Sequence, residues 1–278
     1  YFSSAAIMSK AFNDIVSKKM DLNGEYYVSL AYKSLISNKK DVAVYPLQHF
    51  MQWGTPEDVE EYNYWSKAFK NLIKKNEVSN KLHGSNIIPM AGLGQRFIDE
   101  GYTKTKPLIE VSGLPMVIQS IKDLPKTANS LFVVRSDMVD YNQFLSEIRT
   151  YYKEAIIYSI ESITEGQACT AMLGVNELIK NTKDIGNTEP VTIGACDSGF
   201  IYDVNSLNIL MQDPSVDIIV WGIRGYANAI RNPEMYGWID SDGKSIRSIS
   251  VKSPLKDTSN DPIVLGTFTF KKVKDFEN

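Results

Sequence analysis

The stretch Asn86-Ile87-Ile88-Pro89-Met90-Ala91-Gly92-Leu93-Gly94-Gln95-Arg96-Phe97, followed by Lys106-Pro107-Leu108-Ile109, decides the reading of this chain. The apolar run up to Ala91 reads as a buried strand. It ends in a turn that carries Gly92 and Gly94. Lacking a Cβ, glycine lets the backbone bend tightly and press against a ligand. Backbone N–H groups in such a turn can cradle phosphate oxygens. Arg96 adds a forked, permanently charged donor set, and Lys106 a compact point charge. The carboxyl end of a strand is where open α/β sheets bind ligands. The string is therefore expected to handle a triphosphate. It is not a P-loop, because Lys-Ser/Thr does not follow the second glycine. It is not the dinucleotide fingerprint either, because Phe97 and Ile98 stand where its third glycine would be.

Outward from this string, strands and helices alternate. Strand-like runs cover 86–91, 130–135, 155–160, 190–196, 217–224, 245–252 and 262–270, and helix-like runs cover 115–124, 141–152, 167–180 and 204–212. Such alternation predicts a mainly parallel α/β sheet. Tyr236-Gly237-Trp238-Ile239-Asp240-Ser241-Asp242-Gly243 ends in a turn dipeptide between two β-rich pieces, so a hairpin is expected there.

The string Gly92-Leu93-Gly94-Gln95-Arg96-Phe97, then Lys106-Pro107-Leu108-Ile109, then Val111-Ser112-Gly113-Leu114-Pro115-Met116, resembles the signature of the nucleotidyltransferases that join a nucleoside triphosphate to a sugar phosphate or similar ester. The resemblance covers nearly the whole chain. It implies a Rossmann-like, three-layer α/β/α fold with a mainly parallel mixed sheet. It also implies attack by an acceptor phosphate oxygen on the α-phosphorus, with release of pyrophosphate. The substrate supplies the nucleophile, so catalysis becomes positioning and charge neutralisation, aided by Mg²⁺.

Several residues match that family residue by residue. Gly92, Gly94, Arg96 and Lys106 form the triphosphate loop. Asp197 follows Val191-Thr192-Ile193-Gly194-Ala195-Cys196 and is the expected Mg²⁺ ligand, a hard oxygen donor beside phosphates. A plain capping role before Ser198-Gly199 is its alternative. The family's second carboxylate is replaced by Gln52. Gly166 and Gln167 fall where the nucleotide base lies, with helix packing as the competing role. Lys252 resembles the lysine that grips the acceptor's phosphate, although Val251 stands where a hydroxyl-binding glutamate is usual. That departure favours a small non-sugar phosphate ester over a hexose phosphate. Glu25 and Tyr236-Gly237-Trp238 match acceptor-side pieces, with packing an equal explanation.

The order of the pieces is unusual. Residues 1–75 predict helices near 4–19 and 23–38, a strand near 41–52, and a helix from Pro56 capped by Thr55, with Glu57 and Asp58 in its first turn. Trp65, Phe69 and Leu72 on that helix are expected to form a core face. In the resembled family, pieces like 23–28 and 53–58 come last, whereas here they come first. The expected division is 1–75, the C-terminal part of a nucleotidyltransferase domain; 76–85, a polar linker; and 86–278, an N-terminal and central part. Residues 1–12 and 267–278 look like weak copies of each other. The chain is expected to be a window across two tandem copies, with a circular permutant as the alternative. Segment 1–75 is expected to lie against the 84–278 sheet.

Bulk properties fit a soluble enzyme, and the resemblance implies a cytoplasmic one that serves surface-glycan, polysaccharide or similar assembly. The 278 residues are 43% hydrophobic with a net charge of −3, and no basic block suggests nucleic acid. No apolar run approaches the roughly 20 residues that span a bilayer. Cys169 and Cys196 sit in apolar runs and are expected to be reduced core thiols. His49 and His83 are too few for a metal cluster. A homodimer or domain-swapped pair is the expected self-association. Two other readings compete. A glycosyltransferase of similar fold would carry an Asp-x-Asp motif, whereas Asp197 is followed by Ser198-Gly199. A non-catalytic, nucleotide-binding regulatory copy has no chemical reason to keep Arg96, Lys106, Asp197 and Lys252.

Overall fold

Strand β1 (Ser85–Met90) is buried at every position. In this computed structural model, which describes residues 2–44, 46–74, 83–181, 189–243 and 245–277, β1 lies inside an eight-stranded mixed sheet. It pairs in parallel with β4 (Asn129–Arg135) on one side and β6 (Val191–Ile193) on the other. β4 in turn pairs in parallel with β5 (Ile156–Ile160). Beyond β6 the sheet turns antiparallel. β10 (Ile263–Phe270) pairs with β6, with β7 (Ile218–Ile223) and with β8 (Gly237–Ser241). β8 forms the expected hairpin with β9 (Ile246–Val251).

Side chains alternate across the strands, so consecutive residues feed opposite faces. Ile88, Met90, Phe132 and Val134 join the inner residues of α5 (Met116–Asp123) and α6 (Tyr141–Tyr151) in one core. Ile87, Leu131 and Val133 join Val175 and Leu178 of α7 (Gln167–Asn181) in another. Phe276 of α10 (Lys274–Glu277) packs against that second core. Helices on both faces of a mixed sheet make the three layers that the sequence implied. Some polar side chains inside the sheet are paired, while the Thr267 hydroxyl and the Asn86 side-chain carbonyl are buried without a partner among the described residues. Thr192 and Thr269 share a hydrogen bond of 2.9 Å, and the Trp221 indole N–H donates to Thr269 at 3.0 Å.

The smaller elements complete the frame. α8 (Val204–Gln212) is capped by Asp203, whose carboxylate accepts from the N–H groups of Asn205 and Ser206. β2 (Glu110–Val111) and β3 (Leu114–Pro115) form a short separate hairpin. α3 (Pro56–Lys74) starts as expected, with the Thr55 hydroxyl accepting from the Asp58 N–H at 3.2 Å. It packs on α9 (Ala227–Arg231), where Arg231 pairs with Asp58 at 3.4 Å and Glu61 at 2.5 Å. Tyr64 and Trp65 meet the Tyr226 ring.

The chain divides into compact units at 1–52 and 53–278, so α3 groups with the sheet and not with the residues before it. Most of the expected linker, 76–85, lies outside the described residues. In the first unit, α1 (Ala5–Ser17) and α2 (Val28–Ser37) enclose Ala11, Ile15 and Ala31. α2 begins later than expected, because Leu22 and Glu25 close a tight turn through reciprocal backbone hydrogen bonds.

Three expectations fail. No strand forms among the described residues of 41–52, and Leu47, Phe50 and Met51 are exposed. Apolar residues at strand-like spacing do not make a strand without a partner ladder to satisfy the backbone. Trp65, Phe69 and Leu72 do not form a closed core face; they stay 40%, 57% and 45% exposed. Cys169 is also exposed, on the outer side of α7, and only Cys196 is partly buried. Among the described residues no helix is long and apolar enough to cross a membrane.

Candidate active site

The chain leaves β1 through Ala91 and turns at Gly94, which adopts φ +68° and precedes the short helix α4 (Gln95–Asp99). This left-handed geometry suits glycine. A Cβ at Gly94 would also stand 3.0 Å from the Cβ of Lys106, so its absence admits the lysine. At Gly92 the space above the backbone is open, and φ lies outside the left-handed region. Lys106 opens the 3₁₀ turn Lys106–Leu108, whose Pro107 and Leu108 are buried and anchor it.

These loops converge on one cleft of about 710 Å³, lined by Gly94, Gln95, Arg96, Phe97, Glu100, Tyr102, Lys106, Met116 and Asp197. The Lys106 ammonium meets the Asp197 carboxylate, with the two side chains 27% and 39% exposed. It also lies 5.9 Å over the Phe97 ring, which packs edge-on against Tyr102. Arg96 is exposed at the cleft, and among the described residues no ion pair or hydrogen bond engages its guanidinium. One exposed cation without a partner among the described residues and one paired cation thus face the same space.

Asp197 does not ride directly on a strand, because β6 ends at Ile193 and not near 196 as expected. Its segment is fixed from behind. The Asp123 carboxylate accepts the Phe200 N–H at 3.2 Å, and a Cβ at Gly199 would come within 2.9 Å of that carboxylate. Cys196, just before Asp197, has its thiol pushed up to about 11, first by burial and then by the neighbouring carboxylate.

The remaining predicted residues of the unit 53–278 lie along the same sheet edge. β10 runs antiparallel to β6, so its Ile263 end adjoins the carboxyl ends of the parallel strands. A bulge between Val264 and Phe268 puts Gly266 in the left-handed region beside Ala195. The Gln167 side-chain amide donates to the Gly266 carbonyl at 2.9 Å, which brings Gly166 and Gln167 to this bulge at the start of α7. Lys252 sits at the root of the β8–β9 hairpin, its N–H donating to the Tyr236 carbonyl at 3.0 Å. It is exposed and does not line the Lys106 cleft. Trp238 is a packing residue: fully buried, it donates to the Pro233 carbonyl at 2.9 Å. Glu25 accepts from the Tyr27 hydroxyl at 2.8 Å.

Asp197 fits a divalent cation in one mode. Among the described residues no group of three or more His, Cys, Asp or Glu side chains is placed to hold a metal. Mg²⁺, however, is commonly bound through one or two carboxylates plus substrate phosphates. Sequence reading missed Asp140, which holds Thr105, and the Arg135–Asp137 fork at 2.8 and 3.0 Å. The Asp140 contact carries no local signal, since it depends on how separate loops meet, whereas the Arg135–Asp137 fork joins residues two positions apart.

Solved structures share this architecture. A nucleoside-diphosphate-sugar pyrophosphorylase from Vibrio cholerae RC9 superposes with a TM-score of 0.53 at 22% identity, over 69% of this chain and 75% of its own. The inositol-1-phosphate CTP transferase from T. maritima gives 0.53 at 13% identity, over 73% and 74%. A UTP-bound UGPase from Acinetobacter baumannii gives 0.50 at 12% identity, over 70% and 76%. No protein-family model matches the chain, and no curated protein does. What these structures share with the chain is the fold, and it is the nucleotidyltransferase fold that the signature string implied.

Proposed function

We propose that the chain is a nucleotidyltransferase, transferring a nucleoside monophosphate from a triphosphate to a phosphorylated small acceptor with release of pyrophosphate. The observation that carries this reading is the cleft itself. The loop after β1, the Lys106 turn and the segment after β6 converge, so that Arg96, Lys106 and Asp197 face one space. The fold shared with the pyrophosphorylase and the CTP transferase supports it.

In this reading the loop from Gly92 to Gly94 receives the triphosphate, and Arg96 binds a phosphate oxygen. Lys106 exchanges its Asp197 partner for phosphate as charge builds on the leaving pyrophosphate. The Asp197 carboxylate is the residue that would hold Mg²⁺, which when bound would supply charge neutralisation for the phosphates. Gly166 and Gln167 border the base. Lys252 orients the acceptor's phosphate, whose oxygen attacks the α-phosphorus. Val251, 78% exposed beside it, offers no hydrogen bond to a sugar hydroxyl. A small non-sugar phosphate ester therefore suits this end better than a hexose phosphate.

The test is a screen of the four ribonucleoside triphosphates and dTTP against phosphate esters, read by pyrophosphate release. With a working pair, Arg96→Ala and Lys106→Ala should each lower turnover by about 10²–10³, the usual cost of one preorganised charge donor. Asp197→Asn should lose both rate and response to added Mg²⁺. Normal turnover in both alanine variants would refute the loop assignment.

A further inference from the structure

Asp140 occupies the residue before α6, where an aspartate ordinarily caps its own helix. It makes no side-chain cap hydrogen bond there. Both carboxylate oxygens go instead to one residue 35 positions earlier. The Thr105 N–H donates to Oδ2 at 3.0 Å, and the Thr105 hydroxyl donates to Oδ1 at 2.5 Å. Thr105 immediately precedes Lys106 and starts the 3₁₀ turn. A carboxylate that accepts two bonds from one residue fixes that residue's backbone and its side-chain rotamer together. Charge-assisted bonds of this kind are the strong ones.

We propose that Asp140 is a positioning residue for Lys106, acting through Thr105. The inference rests on the assignment of Lys106 to the site. Three contacts define the place of the lysine. Its Cβ fits over Gly94, its ammonium meets Asp197, and its ammonium also lies over the Phe97 ring. Each requires the backbone at 105–106 to hold one path. The turn is pinned on its far side by buried Pro107 and Leu108. On its near side, Asp140 is the tie. Small misplacement of a catalytic group costs up to about 10²-fold in rate, so the carboxylate affects turnover without reaching substrate.

Two measurements test this. In the first, Lys106 is labelled with an amine-acylating reagent and quantified by peptide mass spectrometry, with exposed Lys104 as the internal reference. Asp140→Ala and Thr105→Val should raise labelling at Lys106 several-fold relative to Lys104, whereas Thr105→Ser, which keeps both donors, should not. In the second, pyrophosphate release is measured with the pair found in the screen. Asp140→Ala should lower kcat about tenfold or more, and Thr105→Val less. Thr105→Ser should stay near wild type. The double variant Asp140→Ala/Lys106→Ala should be no slower than Lys106→Ala alone, because an effect that runs through the lysine vanishes with it. A general loss of structure would instead multiply the two effects. Unchanged labelling in both Asp140→Ala and Thr105→Val, or wild-type kcat in Asp140→Ala beside a slow Lys106→Ala, overturns the positioning role alone. A fast Lys106→Ala overturns the site assignment as well. Should Asp140→Ala fail to fold, the Thr105→Val and Thr105→Ser pair decides by the same two readouts.

Discussion

Gly92 and Gly94 sit two residues apart in one loop, yet the structure assigns them different work, and alanine at each separates the two. At Gly94 the backbone holds φ +68°. A Cβ there costs about 1–2 kcal/mol in the left-handed region. It would also stand 3.0 Å from the Lys106 Cβ, so the lysine turn must give by a few tenths of an ångström. A domain of this size loses about 2–4 °C of melting temperature per kcal/mol. Gly94→Ala should therefore melt about 2–8 °C lower and lose turnover, because it shifts Lys106. At Gly92 there is no left-handed φ, and nothing lies within 4 Å of an added Cβ. Gly92→Ala should melt at or slightly above the wild type, since removing backbone freedom from the unfolded chain stabilises by about 0.4–1 kcal/mol. Its methyl would nonetheless occupy space assigned to the triphosphate, so its turnover should fall. Differential scanning calorimetry and pyrophosphate release, on the same preparations, provide the readouts. A Gly94→Ala protein as stable as wild type, together with a fully active Gly92→Ala, would refute this division.

Two further outcomes follow from the packing. Gly174 faces the sheet, and a Cβ there would come within 2.7 Å of Ile87 Cγ2 and 2.9 Å of Val133 Cγ2. Overpacking of about 1–3 kcal/mol should outweigh a helix-propensity gain of about 1 kcal/mol, so Gly174→Ala should lower the denaturation midpoint; a midpoint above wild type would contradict the close approach of α7. Tyr152 has its phenol pushed up to about 12, first by burial and then by the Asp123 charge. Its folded value lies above the unfolded one, so its contribution is fully present below pH 10 and is lost as pH rises towards 12. Tyr152→Phe should flatten that alkaline limb in a urea-midpoint series, and an unaltered limb would place the titration elsewhere.

The centre of the sheet was legible in the sequence because β1, β4 and β6 are largely buried on both faces and read as apolar runs, whereas β9 is mostly exposed. Seven expected strands appear within a few residues of their expected ends, and so do the helices between them. Capping chemistry located the start of α3 for the same reason: Thr55 and the Asp58 N–H are three residues apart, and the signal is local. The error at 41–52 shows the limit of that reasoning. Val42 and Val44 have strand-like spacing, but a strand exists only where a second ladder accepts its hydrogen bonds, and spacing does not report the partner.

The site divides along the same line. Gly94, Arg96 and Lys106 could be read from one stretch because the chain itself brings them together. The contact between Lys106 and Asp197 joins residues 91 positions apart. The glycine loop and Asp197 were each expected at a strand's carboxyl end, and the parallel pairing of β1 with β6 makes those ends adjacent. Asp140 had no such route. In the sequence it is an aspartate before a helix, which capping explains fully. Only the closure of the turn preceding Lys106 onto the β4–α6 connection turns its carboxylate away from its own helix and onto Thr105. Residues that touch a ligand leave a mark in sequence through their chemistry. Residues that hold those groups in place leave a mark only in the geometry of loops meeting across the sheet, and in this cleft such supports, Asp123 and Asp140, lie behind both Asp197 and Lys106.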